Sequence, residues 1–250
     1  MSPFEVLAIF AAGIVAGTIN TVVGSGTLFT FPVLLGFGYA PVVANVSNTV
    51  GLVPGSATGA FGYRRELAGQ RRRVLALSVA SVTGGITGAV LLLSLPASAF
   101  KAIVPLFIAL ALVLIVMQPR LSGWLAARRP QGRQVPGPLA TLGVFAGGIY
   151  GGYFGAAQGI LVLAILTLSL DDDLQRLNAV KVVLTGLVNL VSGLVFVLAA
   201  HVAWAPAALI AAGSTLGGVL GARVGRRLAP GVLRAVIVVV GVVAIVRLVA

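Results

Sequence analysis

The residues of this sequence best suited to chemistry gather at two glycine-interrupted turns and along two polar-faced stretches. The first turn reads Asn20-Thr21-Val22-Val23-Gly24-Ser25-Gly26-Thr27-Leu28. Within a bilayer, a break in a helix leaves backbone N–H groups without partners, which is costly unless they line a cavity or meet a ligand. Such freed N–H groups, with the positive end of the following helix dipole, make an anion site. Gly24 and Gly26 leave those donors open, Ser25 and Thr27 add hydroxyls, and Asn20 adds an amide. A second reading stands beside this one: small residues here only allow two helices to cross closely, as in Gly-x-x-x-Gly packing. Gly24-Ser25-Gly26 does not complete a dinucleotide fingerprint and no strand precedes it, which argues against a phosphate-cofactor fold.

The second turn, Gly151-Gly152-Tyr153-Phe154-Gly155-Ala156-Ala157-Gln158-Gly159, offers the Gln158 amide where the first offers a hydroxyl. Gly147, Gly151, Gly155 and Gly159 fall at four-residue spacing, which describes a packing ridge equally well. The series Gly213, Gly217, Gly221 and Gly225 has only Ser214 and Thr215 as polar neighbours before Arg223, and reads as packing.

Two polar-faced helices adjoin the turns. Asn45, Ser47, Asn48 and Thr49 open the first, where the amides serve either as helix caps or as substrate ligands. Pro54 and Gly55 interrupt it, with Ser56 and Thr58 placed to satisfy the freed carbonyls. The equivalent stretch carries Asn178, Lys181, Thr185, Asn189 and Ser192, of which Lys181, Thr185 and Asn189 share one helical face. A charge within a membrane span costs about 2.5 kcal/mol or more at the centre, and marks a functional site by default. Lys181 lies close to the start of its helix, so two outcomes are open. It contacts an anion, or it snorkels outward and pairs with Asp171, Asp172 or Asp173.

The elements that must position these residues are membrane helices. Of 250 residues 59% are hydrophobic and only 9% charged, whereas a soluble domain carries about a quarter charged residues. The net charge of +12 lies in arginine clusters between apolar stretches, so it reads as membrane topology rather than nucleic-acid binding. Apolar stretches fall near 4–23, 27–38, 43–61, 74–95, 99–117, 138–154, 157–170, 177–199, 203–222 and 232–249. Several are long enough to span; 157–170 would reach only ~21 Å of a ~30 Å core, which points to broken or re-entrant helices. The start MSPFEVLAIF lacks a basic n-region and reads as a retained segment.

The halves resemble each other. Gly13 to Ile19 reads against Gly143 to Ile149, each followed by a glycine turn and a short apolar run, and Asn45 and Asn178 open corresponding helices. Internal duplication with interrupted helices in equivalent places is a signature of secondary transporters. The division is a first repeat over 1–117, a cytoplasmic linker over 118–137 and a second repeat over 138–250. Arg64, Arg65, Arg71, Arg72 and Arg73 form one cluster, Arg120, Arg128, Arg129 and Arg133 a second, and Arg223, Arg226 and Arg227 a third. All three face the cytoplasm only if the repeats are inverted, which puts both termini outside. The expected fold is an all-α polytopic membrane protein of about 8–10 membrane segments.

No cysteine and a single histidine, His201, argue against thiolate or histidine-based metal centres, and no metal or cofactor is expected. The five acidic residues lie near the ends of apolar stretches, leaving no intramembrane carboxylate pair for enzymatic acid–base work. Arg176, Arg234 and Arg247 are assigned to interfaces, Lys101 to a solvated helix start and Trp204 to an aromatic belt.

The run Ala16 to Gly26, with Pro32, Leu34, Leu35, Gly36, Pro41, Ala44 to Asn48, Pro54-Gly55 and Tyr63-Arg64-Arg65, resembles the sulfite exporter TauE/SafE family of membrane transporters. The likeness is dense over 13–66 and looser through the second half. It implies a permease for small sulfur-containing or organic anions such as sulfite and sulfoacetate. The expectation is therefore a cell-membrane permease exporting a small anion, with the lipid bilayer as its other partner and no nucleic acid. Two alternatives stand: an anion-selective channel, or a non-transporting scaffold subunit. Candidate substrate ligands are Asn20, Gly24, Ser25, Gly26, Thr27, Asn45, Asn48, Gln158, Asn178, Lys181, Thr185 and Asn189. The oligomeric state is left open.

Overall fold

The structure, a computed structural model, describes residues 1–128, 132, 135–224 and 242. The described residues form nine helices and no strand. Helix α1 spans Pro3–Val22, α2 Thr27–Gly36, α3 Pro41–Gly62, α4 Arg71–Ser94 and α5 Ala97–Ala127. Helix α6 spans Pro138–Tyr153, α7 Gln158–Ser169, α8 Leu174–Ala199 and α9 Trp204–Val224. Five of them are long and apolar enough to cross a membrane: α1, α4, α8, the part of α5 over Ala97–Gln118, and the part of α9 over Trp204–Arg223. Leu139, Leu198, Phe4 and Leu106 lie on the outside of the bundle, fully at odds with water and suited to lipid. The chain is a multi-pass membrane protein.

Local chemistry sets the helix ends. Proline occupies the first turn of α1, α3 and α6, where its missing N–H has no helical partner to lose. Ser2 caps α1 by accepting from the Glu5 N–H at 3.2 Å. The Asp173 carboxylate caps α8 by accepting from the N–H groups of Gln175 at 2.8 Å and Arg176 at 3.4 Å. Helix α1 stops because Gly24 takes φ +83°, a left-handed conformation that glycine adopts without penalty.

The short helices fold back on their predecessors. Gly26, at the head of α2, lies against the Ala16 carbonyl, where an added Cβ would sit 2.6 Å from the oxygen. The far end of α2 returns to the start of α1: the Tyr39 hydroxyl donates to Glu5 at 2.9 Å, and Phe37 packs edge-on against Phe4. Helix α7 likewise runs antiparallel along α6, with Gly143 against Ile165, Gly147 against Val162 and Gly151 against Gln158.

The two halves interlock. Helix α1 packs on α9 and α6 on α4, while α3 packs on α9 and α8 on α4, and α3 and α8 meet. Each pairing in one half thus has a counterpart with the halves exchanged. The α1–α9 seam is close enough that a Cβ at Gly217 would lie 2.1 Å from the Ile14 carbonyl oxygen, so the Gly213, Gly217 and Gly221 series is a packing ridge, as its lack of polar neighbours suggested. At the α4–α6 seam a Cβ at Gly88 would lie 2.0 Å from the Ile149 oxygen.

Two elements depart from the sequence reading. Helix α3 is not interrupted at Pro54 but runs through it to Gly62; the Ser56 hydroxyl donates to the Leu52 carbonyl at 3.0 Å and the Thr58 hydroxyl to that of Gly55 at 3.0 Å, both turned back on their own helix. Helix α5 does not stop at 117 but continues to Ala127, through the first part of the stretch read as a linker. Arg129, Arg133, Gly225, Arg226, Arg227, Arg234, Arg247 and, apart from residue 242, the apolar stretch 232–249 lie outside the described residues.

Candidate functional site where the two turns cross

The break after α1 and the break after α6 are in direct contact. The Gly159 N–H donates to the Gly24 carbonyl at 3.0 Å. A Cβ built on Gly24 would lie 2.4 Å from the Gly159 Cα, and one built on Gly159 would lie 2.4 Å from the Gly24 Cα. Only two glycines fit this crossing. The second turn also holds Gly155 at φ +77° and Ala157 at φ 60°, an arrangement that costs an alanine about 1 kcal/mol or more and persists because its surroundings fix it. Phe31 of α2 packs edge-on against Phe154 of the second turn, with ring centroids 5.2 Å apart, and Phe100 and Phe107 of α5 close the cluster from behind.

Each broken helix has a carbonyl near its C-terminal end held by the polar helix of the other half. Asn45 of α3 donates through Nδ2 to the Tyr153 carbonyl at the end of α6, at 3.0 Å. Lys181 of α8 donates through Nζ to the carbonyls of Asn20 and Thr21 near the end of α1, at 3.4 and 3.3 Å. The lysine side chain is fully buried, and among the described residues its ammonium meets no carboxylate. It sits where a helix dipole is negative, a favourable place for a cation. The outward-snorkelling alternative does not describe this geometry: the neighbouring aspartate, Asp172, is taken by Arg73 and Arg176 instead.

Around this crossing, Ser56 of α3 is a hub. Its hydroxyl oxygen accepts from Asn20 Nδ2 at 3.3 Å and from Asn189 Nδ2 at 3.4 Å, joining α1, α3 and α8. Asn48 donates to the Thr27 hydroxyl at 3.1 Å and accepts from Thr30, tying α3 to α2. Three buried polar atoms at the turns have no partner among the described residues, Ser25 Oγ, Asn45 Oδ1 and Tyr153 OH, and Asn178 Oδ1 on α8 is a fourth. Unpaired polar atoms cost about 1–3 kcal/mol each when buried.

A scan of known families matches the chain over residues 9–248 to the sulfite exporter TauE/SafE model. The chain belongs to that family. TauE/SafE relatives at the level of single proteins include the probable membrane transporter protein YfcA of Escherichia coli strain K12, 27% identical over 245 residues that cover 97% of this chain and 89% of the relative. A probable membrane transporter protein of Haemophilus influenzae is 29% identical over 224 residues, covering 88% of this chain and 85% of its own length. A third, ORF9 of a Sinorhizobium species, is 27% identical over 250 residues, covering 99% and 94%. This TauE/SafE protein is therefore a membrane transporter, and its family implies a transported small-molecule substrate.

The residues singled out from the sequence fall in this TauE/SafE protein as follows. Gly24, Ser25, Gly26, Thr27, Asn45, Asn48, Gln158, Asn178, Lys181 and Thr185 are buried, and Asn20 and Asn189 are half-buried. Gly24 meets Gly159 directly, Thr27 pairs with Asn48, and Asn20 and Asn189 converge on Ser56. Thr185 is turned back on its own helix, donating to the Lys181 carbonyl at 3.0 Å. Gln158 lies over Gly151 within the α6–α7 hairpin. Sequence reasoning set Ser56 aside as a proline neighbour and did not select Tyr153 or Thr30. Tyr153 carried one usable signal, a phenol inside a glycine turn at membrane depth.

Proposed function

We propose that this transporter exports a small anion, such as sulfite or an organosulfonate, and binds it where the two turns cross. The observation that carries the reading is Lys181, a fully buried ammonium held by two carbonyls and balanced by no carboxylate among the described residues, beside two touching helix breaks. A lone buried cation is expensive, and an anion entering next to it relieves that cost. Ser25, with its hydroxyl unpartnered among the described residues, is the ligand at the first turn, and Asn178, one helical turn before Lys181, is its companion on α8 through the Nδ2 N–H groups of its amide. Thr27, Asn48, Asn45, Asn20 and Asn189 hold the two turns and the polar helices in register, and Gln158, Thr185 and Gly26 shape the crossing. An anion leaving a cell that is negative inside gains about 2.3 kcal/mol per charge per 100 mV, so efflux needs no coupling ion.

The same reading takes the halves as inverted repeats. In support, the pairings exchange between halves, and each half begins with a helix and a short folded-back partner. The end of α3 meets the end of α9 at Gly62 and Ala222, which brings Arg64, Arg65 and Arg223 to one end of the bundle. That end is cytoplasmic by the positive-inside rule.

Purified protein in liposomes tests the reading with labelled sulfite, sulfoacetate and related organosulfonates. The expected result is saturable uptake with counter-transport of at least one anion. Flux linear in concentration would replace the carrier by a pore, and no flux across the panel from folded, correctly inserted protein would end the anion reading.

A further inference from the structure

Away from the crossing turns, the arginine-rich end of the bundle holds a cleft of roughly 400 Å³ between the two halves. Its walls are the turn at 69–70, the first turns of α4, residues 135–136 and the segment leading into α8. Of the charged groups that line it, Arg72, Arg73 and Arg176 are cations and Asp172 is the single anion. That carboxylate is already shared: Arg73 Nη1 donates to Oδ2 at 2.6 Å, and Arg176 Nε donates to Oδ1 at 2.9 Å. Among the lining residues three guanidinium groups face one carboxylate, with Asp171 and Asp173 flanking it in sequence, in a cleft where Arg73 is only 7% exposed. The Arg72 guanidinium forms no hydrogen bond or ion pair among the described residues, and α4 starts without a side-chain cap. Arg176 spends two of its remaining donors on the Ala68 carbonyl at 3.3 Å, which fixes the plane of its fork at the cleft wall.

We propose that this cleft is a second anion site, which binds a phosphate-type oxyanion between Arg72 and Arg176. A guanidinium presents paired N–H donors that match two oxygens of such a group. The Arg72 fork from one half and the single Nη N–H donors that Asp172 and Ala68 leave on Arg176 in the other suit an anion with three or four oxygens better than a planar carboxylate. The phosphate chemistry has two sources, a free ion in the aqueous phase and the headgroup of an anionic lipid, because basic pockets beside spanning helices take headgroups by the same contacts. Bound there, the oxyanion bridges the α4 start of the first half and the α8 start of the second.

The test uses the full chain, purified in an uncharged detergent and also reconstituted in nanodiscs of phosphatidylcholine with or without phosphatidylglycerol. Inorganic phosphate is titrated against chloride at equal ionic strength while the unfolding temperature is followed, and retained phosphatidylglycerol is counted by native mass spectrometry. A saturable rise with phosphate assigns the free ion, and retained phosphatidylglycerol with no phosphate response assigns the headgroup. In either arm Arg72→Gln weakens binding by about tenfold or more, the effect of losing a charge-assisted hydrogen bond, and Arg72→Lys weakens it less. Arg72 is exposed, so its variants fold, and their unliganded unfolding temperatures check this. Absence of both ligands from the wild-type protein, or binding that is unchanged in Arg72→Gln, overturns the proposal. Anion flux through the crossing turns is unaffected by either result.

Discussion

Replacing Gly159 by alanine separates the steric demand of the crossing from backbone conformation, because Gly159 is helical and carries no positive φ. The new methyl would sit 2.4 Å from the Gly24 Cα and 3.0 Å from the Val23 carbonyl oxygen, both backbone atoms that cannot swing aside. Overpacking of this kind costs about 1–3 kcal/mol. Pushing the turns apart also loses the Gly159 N–H to Gly24 carbonyl bond, worth about 0.5–1.5 kcal/mol net. Alanine recovers up to about 1 kcal/mol in helix propensity. The balance is a destabilisation of roughly 0.5–4.5 kcal/mol, and the crossing must open by about 1 Å for the methyl to reach ordinary van der Waals contact. Gly123→Ala, in α5 with nothing within 4 Å of the added methyl, has only the favourable part and should be neutral or stabilising by up to about 1 kcal/mol. The assay is thermal unfolding of both variants in detergent, with anion flux in liposomes at matched insertion. Gly159→Ala should unfold earlier than wild type and lose flux, while Gly123→Ala keeps both. A Gly159→Ala protein as stable and active as wild type would refute the reasoning from the crossing.

Lys181→Gln removes the ammonium beside the first turn and should weaken apparent anion affinity at least about tenfold, with a smaller effect on unfolding; equal affinity would reduce Lys181 to a cap on the end of α1. Burial alone would raise the Asp172 pKa, but the Arg73 hydrogen bond, the Asp173 N–H and the charges of Arg176 and Arg73 together hold it below the usual carboxylate value. Its stabilising contribution is therefore complete above the ordinary value of about 3.9 and lost as pH falls through the depressed folded value; Asp172→Asn should cost about 1.5–3 kcal/mol at neutral pH and flatten the acid limb of a stability–pH curve. In a chain without cysteine, Arg65→Cys should react with an impermeant maleimide only from the cytoplasmic side and His201→Cys only from outside; reaction of both from one side would reverse the proposed arrangement of α3 and α8.

The helix breaks were legible because glycine and serine at membrane depth have few other uses, and α2 and α7 begin and end close to the apolar runs that announced them. The packing role of Gly213, Gly217 and Gly221 was legible because four-residue spacing with only Ser214 and Thr215 as polar neighbours describes one smooth face. Pro54 misled because a proline removes only one donor, the one that would serve the Val50 carbonyl, and the turns on either side carry α3 through it. The end of α5 was placed early since hydropathy falls after Met117 and Pro119 and Gly123 read as helix breakers, yet the helix runs through both to Ala127 as it leaves the apolar layer. The contact of Gly24 with Gly159 joins residues 135 positions apart (159 − 24), and a single sequence carries no mark of such a pairing. The partners of Lys181 escaped for a related reason. They are backbone carbonyls, whose availability depends on where another helix ends.

Protection of a single cysteine at position 25 tests most directly whether the anion is held at the crossing. Ser25 is wholly buried and its hydroxyl has no partner among the described residues, so Ser25→Cys reacts with a small maleimide only when the turns part. The account predicts that an anion found to saturate flux slows this reaction, with a half-effective concentration matching its half-saturation of transport. A labelling rate unchanged at concentrations that saturate transport would place the anion elsewhere and contradict the central claim.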